Sequence, residues 1–83
     1  MSELPSLSSE RLIRALRRAG FVDAPKRGKG SHHALLKRDA DGRIRLVVVP
    51  QRKDIPRGTL HAILQQAGLT ADELRRLLQR ARL

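Results

Sequence analysis

The 83-residue chain carries 18 Lys and Arg residues against 8 Asp and Glu residues, a formal net charge of +10. Hydrophobic residues make up 40% of it, too many for a disordered tail, and a chain this short forms one domain at most. It has no Cys, which excludes a disulfide scaffold, a thiolate metal site and a cysteine nucleophile.

The first predicted helix covers roughly residues 9–19. Ser8 is suited to cap its N-terminus and Gly20 to end it. One side of the helical wheel is apolar and the other carries arginines: Leu12, Ala15, Leu16 and Ala19, with Ile13 at the edge, against Arg11, Arg14, Arg17 and Arg18. Residues 1–8 are predicted to be frayed.

Three strands are predicted next. A short one begins at Phe21, and two longer ones run from Ser31 to Lys37 and from Arg43 to Val49, with an Asp- and Gly-containing turn between them. Along the last strand arginines alternate with apolar residues. The apolar set is therefore predicted to face the helices, and the arginines to form an open, basic sheet face suited to nucleic acid: Ile44, Leu46 and Val48 against Arg43 and Arg45. A merely solvated face explains the alternation equally well.

Two helices close the chain. One spans about residues 57–67 and ends at Gly68. The other covers about 70–82 and opens with a capping box between Thr70 and Glu73. The order α-β-β-β-α with a further C-terminal helix predicts an α+β fold over residues 1–83. Its three-stranded antiparallel sheet would be covered by helices on one face.

The composition also indicates which classes of partner the protein binds. One Phe and no Tyr or Trp argue against modules that stack bases on aromatic side chains. The sequence pI near 11.8 favours a polyanion, nucleic acid first, over a merely solubilising surface. The longest apolar run is far too short to span a membrane, and the N-terminus lacks the features of a signal peptide. We therefore expect a cytoplasmic protein with no membrane partner.

The densest chemical feature of the sequence is a cationic, glycine-broken loop that ends in two imidazoles. Its residues are Lys26, Arg27, Lys29, Gly30, Ser31, His32 and His33. Glycines let the backbone approach a phosphate, the cations attract it, and an imidazole exchanges a proton near neutral pH. These groups suit attack of a ribose 2′-hydroxyl on its own phosphate, a reaction that needs a base and charge stabilisation and no metal.

Other interpretations of the two histidines are less specific. A His pair on a strand is most often structural or merely exposed. A shared metal ion is poorly supported, because adjacent strand residues point to opposite faces and His61 lies on a distant helix. The same alternation separates His32 from His33, and periodicity alone does not choose between them. No carboxylate lies close in sequence to complete a site.

Several motifs in chain order resemble the HicA toxins of bacterial toxin–antitoxin systems. They are Lys29-Gly30-Ser31-His32-His33 after a helix ending in Gly20-Phe21-Val22, then Asp41-Gly42-Arg43, Val47-Val48-Val49-Pro50, and the run from Pro56 to Thr70. The similarity extends over about residues 9–78.

The resemblance implies a fold like that of the double-stranded-RNA-binding domain. It also implies an mRNA-cleaving toxin that needs neither metal nor ribosome, and a HicB-type antitoxin that covers its active site. The family's catalytic histidine directly follows Gly-Ser, which places that role on His32, with His33 as second candidate and no cofactor. RNA contacts are predicted from these residues: Lys26, Arg27, Lys29, Gly30, Ser31, Lys37, Arg43 and Arg45. The alternative function is a non-catalytic, basic RNA-binding domain.

Overall fold

The computed structural model describes residues 6–24 and 32–80. Their elements are helix α1 (Ser9–Arg18), strands β1 (Val22–Asp23), β2 (His32–Arg38) and β3 (Ile44–Pro50), and helices α2 (Arg57–Ala67) and α3 (Ala71–Arg80). The strands form one antiparallel sheet in the order β1-β2-β3, which confirms the predicted α+β arrangement. Within the described ranges, no helix combines the length and apolar character that crossing a membrane requires.

The helix ends follow the predicted capping chemistry. The Ser8 hydroxyl accepts the backbone N–H of Arg11 (3.3 Å) at the start of α1. At the start of α3, the Thr70 hydroxyl accepts the N–H of Glu73 (3.0 Å), and the Glu73 carboxylate accepts the N–H of Thr70 (2.8 Å). Gly68 ends α2 in the left-handed region, at a φ of 72°. Each cap pairs backbone groups that the helix itself leaves unsatisfied.

The sheet buries the face opposite to the one predicted from β3. Val47 and Val49 are fully buried, whereas Ile44, Leu46 and Val48 are 56%, 42% and 40% exposed. The prediction that these last three residues face the helices, and that the arginines form an open basic face, is therefore wrong. Both faces of β3 carry apolar residues, so its alternation is compatible with burial of either face.

Arg45 shows how a cation is accommodated on the covered face. Its guanidinium donates to the Asp39 carboxylate (2.8 Å) and reaches the backbone carbonyl of Gln66 (3.4 Å) near the end of α2. A Cβ added at Gly68 would lie 2.8 Å from the Arg45 guanidinium carbon, which the flexible arginine side chain can move away, so it is the positive φ that favours glycine at this position. Arg45 thus packs at the margin of the helix layer instead of pointing to solvent.

The uncovered side of the sheet is apolar, and we call it the open sheet face. The strand pairing places these residues on it: Val22, Ala34, Leu36, Ile44, Leu46 and Val48, with His32 and Arg38 at the two ends of β2. The covered side packs against α1 and α2, and α3 packs against α1. One core joins these elements, and the sheet and each helix contribute a buried leucine to it: Leu16, Leu35, Leu64 and Leu74.

The segment before α1 also packs against the molecule. Leu7 is 1% exposed, and its carbonyl accepts the N–H of Ile55 (2.8 Å), which is itself buried. The Ser6 hydroxyl donates to the Asp54 carboxylate. The expectation of fraying is therefore wrong for residues 6–8, because Leu7 supplies an apolar anchor within a polar segment. Residues 1–5 lie outside the described residues.

The two faces of β3 predict losses of stability of different size when neighbouring valines are replaced by alanine. Val47→Ala should lower the free energy of unfolding by about 2 kcal/mol, since it removes buried methyl groups and leaves a cavity. Val48→Ala on the open sheet face should cost less than about 1 kcal/mol. Urea unfolding of both variants measures the difference. A larger loss at Val48 would contradict the observed face assignment.

Candidate functional site

A cleft of about 800 Å³ lies between α1 and the ends of β2 and β3, and we call it the α1 cleft. Its lining includes residues of α1, both histidines of β2, and the segment after β3: Ser8, Ser9, Glu10, Ile13, Arg14, Arg17, His32, His33, Val49, Gln51, Arg52 and Lys53. Four of these side chains are lysine or arginine and one is glutamate, so the cleft carries net positive charge. Such a field attracts phosphate groups.

Ser9 joins the two walls of the α1 cleft. It is 5% exposed, and its hydroxyl donates to the Pro50 carbonyl (2.5 Å) and accepts the backbone N–H of Arg52 (2.6 Å). The Ser9 N–H in turn donates to the Arg52 carbonyl (2.9 Å). These bonds tie the first turn of α1 to the segment after β3. They hold Arg52 and Lys53 on the same cleft as Arg14.

The most organised side chains at this cleft are His33, Asp23 and Arg17, which come from β2, β1 and α1. The His33 Nε2 atom lies 2.9 Å from Asp23 Oδ1. The Arg17 guanidinium donates to both oxygens of the same carboxylate, at 2.8 and 3.1 Å. All three side chains are about half exposed, so solvent and a ligand can reach them.

Asp23 is held as an anion by these two neighbours. The hydrogen bond from Arg17 lowers the pKa of the Asp23 carboxyl below its ordinary value of 3.8, and the bond to His33 lowers it further. A carboxylate that stays ionised can only accept hydrogen bonds. The arrangement therefore offers an oriented imidazole beside an arginine, which suits proton transfer at a phosphodiester.

The structure separates the predicted site residues into groups. His32 and His33 both line the α1 cleft but project to opposite sides of β2. Residues 26–31, which include five predicted RNA contacts, lie outside the described residues. Arg43 is exposed beyond the end of β3 that is farther from the cleft.

The other two predicted RNA contacts, Lys37 and Arg45, have partners within the protein. The Lys37 ammonium donates to the Ala19 carbonyl (2.6 Å) and lies 5.8 Å from the centre of the Phe21 ring. It thus satisfies a carbonyl at the end of α1. Arg45 is paired with Asp39, as described above.

Sequence reasoning missed Asp23 and the cations of the α1 cleft. The helical wheel did group Arg14 and Arg17 on the polar side of α1, which was the available signal for a basic surface. Asp23 became visible only through the pairing of β1 with β2, where it lies opposite Leu35. Among the residues that the structure describes, no group of three or more potential ligands could hold a metal ion.

The fold and the cleft together define a small, basic α+β domain with a cationic site at one end of its sheet. A family model described as the HicA toxin of bacterial toxin–antitoxin systems matches residues 9–69, from the start of α1 to just beyond α2. The chain therefore belongs to the HicA toxin family, which implies a toxin role and an antitoxin partner. A search of curated proteins finds no match.

The ion pair at Asp23 predicts a specific titration. Arg17→Ala should raise the pKa of the Asp23 carboxyl toward its ordinary value, and His33→Ala should raise it less, because the Arg17 bond is the larger cause. Since the folded-state pKa is lowered, the pair stabilises the fold above about pH 4, and this contribution is lost as the pH falls through the folded pKa. NMR titration of the Asp23 carboxyl carbon tests this. A larger effect from His33→Ala would refute it.

Proposed function

We propose that this protein is an endoribonuclease toxin that cleaves mRNA by histidine acid–base chemistry, requires no metal, and is neutralised by a HicB-type antitoxin. One observation carries the proposal: His32 and His33 both line a cationic cleft of a HicA-family chain, and the His33 imidazole is bonded to the Asp23 carboxylate beside it. Neither the family nor the geometry alone would support this reaction as specifically as the two together. The family supplies the toxin role, and the geometry supplies groups that can move a proton beside a phosphate.

The proposed reaction is an internal transesterification of RNA. The imidazole accepts the proton of a ribose 2′-hydroxyl, and the 2′-oxygen forms a bond to the adjacent phosphorus. The bond from phosphorus to the 5′-oxygen of the next nucleotide breaks, and that oxygen takes a proton from water. The products are a 2′,3′-cyclic phosphate and a 5′-hydroxyl. Cations of the cleft such as Arg14 and Lys53 stabilise the charge that develops on the phosphate oxygens.

Two histidines of β2 are candidates for the catalytic base. The family resemblance assigns the role to His32, which directly follows Gly30 and Ser31 in sequence and lines the α1 cleft. His33 also lines the cleft, and its bond to Asp23 makes it the second candidate, because a bonded carboxylate can orient an imidazole. The two histidines therefore make competing predictions.

The proposed RNA surface centres on the α1 cleft. Arg14, Arg17, Arg52 and Lys53 line it. The predicted contacts among residues 26–31 directly precede His32 in sequence. Phosphate contacts of this kind provide affinity and position without reading sequence. Arg43 would extend the surface at the far end of the sheet. Lys37 and Arg45 would have to give up their intramolecular partners to contribute.

Cleavage of a fluorescent RNA distinguishes the candidates. His32→Ala should lower the rate on the order of 10²–10⁴-fold, the usual contribution of a positioned base, while His33→Ala keeps most of the activity. EDTA should have no effect on the rate, because the proposed reaction uses no metal.

Two results would change the proposal. Loss of activity in His33→Ala with retention in His32→Ala would move the base to His33. Tight RNA binding by the wild type with no cleavage under any of these conditions would leave the non-catalytic RNA-binding domain. Circular dichroism of both variants controls for folding.

The proposed HicB-type antitoxin has a surface to occupy on this protein. The open sheet face is apolar, and a large apolar patch on a soluble domain marks an interaction surface. It lacks the aromatic residues that would stack RNA bases. An antitoxin with an apolar centre and an acidic rim would complement this face and the +10 charge, and it would cover His32.

Leu46→Glu tests this surface. A charge buried against an apolar partner should weaken antitoxin binding by at least about tenfold, while RNA cleavage by the free toxin is unchanged. Gln65→Glu, on the exposed side of α2, adds the same charge on the helix layer and serves as the matched control. Isothermal titration calorimetry with the antitoxin measures both. Equal affinities for the two variants would exclude the open sheet face.

A further inference from the structure

The hydrogen-bonding pattern of the sheet shows where the backbone of β3 points. In an antiparallel ladder, opposite residues alternate between pairs that exchange both of their hydrogen bonds and pairs that exchange none. The Ala34 carbonyl accepts the N–H of Ala24, so the backbone of Ala34 points to β1. Val48 lies opposite Ala34, so its own N–H and carbonyl point away from β2. By the same alternation those of Leu46 and Ile44 do so too, and we call this side of the strand the β3 edge.

Two contacts at the ends of β3 agree with this direction. The Asp39 N–H donates to the Arg43 carbonyl (2.7 Å), which makes the pair directly before Ile44 a bonded one. At the other end, the Pro50 carbonyl accepts the Ser9 hydroxyl (2.5 Å) instead of a bond from β2. β3 is the last strand of the sheet, and nothing else in the described part of the chain bonds to the backbone of the β3 edge.

The side chains of the same three residues are apolar and exposed. Ile44, Leu46 and Val48 are 56%, 42% and 40% exposed on the open sheet face. The β3 edge therefore offers alternating N–H and carbonyl groups over about 13 Å, beside a row of apolar side chains. An edge of this kind is a template for a further strand. Recognition by strand addition uses both features, because backbone bonds give affinity and alternate side chains give specificity.

We infer that a strand of the antitoxin adds to the β3 edge, so that the sheet of the toxin continues into its partner. The inference rests on the function proposed above and specifies how the antitoxin is recognised. The β3 edge also leads to the α1 cleft, because Arg52 and Lys53, which line the cleft, follow directly after β3. A strand added along β3 therefore ends at the cleft that the antitoxin has to block.

Charge and backbone chemistry determine which occupant fits the β3 edge. Arg43 is exposed beyond one end of it, and Arg52 and Lys53 are exposed beyond the other. An extended segment with an apolar centre and acidic residues at both ends complements this pattern. A second copy of this chain would bring another +10 charge to the same surface. RNA lacks the alternating N–H and carbonyl groups with which a strand edge pairs.

NMR of the wild-type toxin, alone and bound to the HicB-type antitoxin, tests the pairing directly. In the free toxin, the amides of Ile44, Leu46 and Val48 should exchange faster than those of Val47 and Val49, which are bonded to β2. Antitoxin should slow exchange of the first three at least about tenfold, and couplings across hydrogen bonds should connect them to antitoxin carbonyls. A complex that leaves these amides in fast exchange, or shows no such couplings, overturns the inference.

Leu46→Pro and Leu46→Ala separate the backbone from the side chain. Both remove the leucine, but only proline removes the central N–H of the β3 edge and places its ring there. Proline is tolerated where a strand N–H faces solvent, so the free variant should fold and cleave RNA like the wild type. In calorimetry, Leu46→Pro should bind the antitoxin at least about tenfold more weakly than Leu46→Ala. Equal affinities overturn the inference, and the NMR measurement decides it if circular dichroism shows that the proline variant does not fold.

The failure of this inference is distinguishable from the failure of the proposed function. If the antitoxin binds and blocks RNA cleavage while the β3 edge stays in fast exchange, only the inference fails. If the edge pairs with the antitoxin but the free toxin does not cleave RNA, only the endoribonuclease activity fails. If no HicB-type antitoxin binds, both fail. Slow exchange of the edge amides in a free toxin that has the mass of a dimer would assign the β3 edge to a second copy and overturn the inference.

Discussion

The alternation of side chains along β2 and β3 determines on which side of the sheet each functional group lies. Helices cover only one face of the sheet, and burial of Val47 and Val49 shows which face this is. Every residue paired with them across the strands lies on the same face. His33 lies opposite Val49 and projects to the covered side, at the end where α1 leaves a cleft, whereas His32 projects to the other side. A slip of one residue in this pairing would exchange the two imidazoles.

The features that were predictable from sequence depend on contacts between near neighbours. Ser8 capping α1, the Thr70–Glu73 box and Gly68 ending α2 each act within about one helical turn. The face of β3 was not predictable in this way. Both of its sides are apolar, and the contact that accommodates Arg45 on the covered side reaches Gln66, 21 residues away. A period-two pattern contains no information about such a partner.

The candidate site was predictable in its chemistry but not in its geometry. The imidazoles and the basic loop stood out in the sequence, and the family motifs were sufficient to identify the HicA family. The carboxylate that contacts His33 lies ten residues away on a different strand, so strand pairing had to be known first. Lys37 shows a second limit of sequence analysis. Composition does not distinguish a cation that binds phosphate from one that donates to a backbone carbonyl, as Lys37 does to Ala19.

The shortness of β1 has a consequence for local stability. Two residue pairs and the bond from the Ala24 N–H to the Ala34 carbonyl hold this strand to β2, at the edge of the sheet. Edge segments with few bonds open at a lower free energy than the core and exchange their amide hydrogens sooner. Opening of β1 would carry Asp23 away from His33 while Val47 and Val49 stay buried. The contact between Asp23 and His33 can therefore be lost by local opening of this short edge strand, without unfolding of the core.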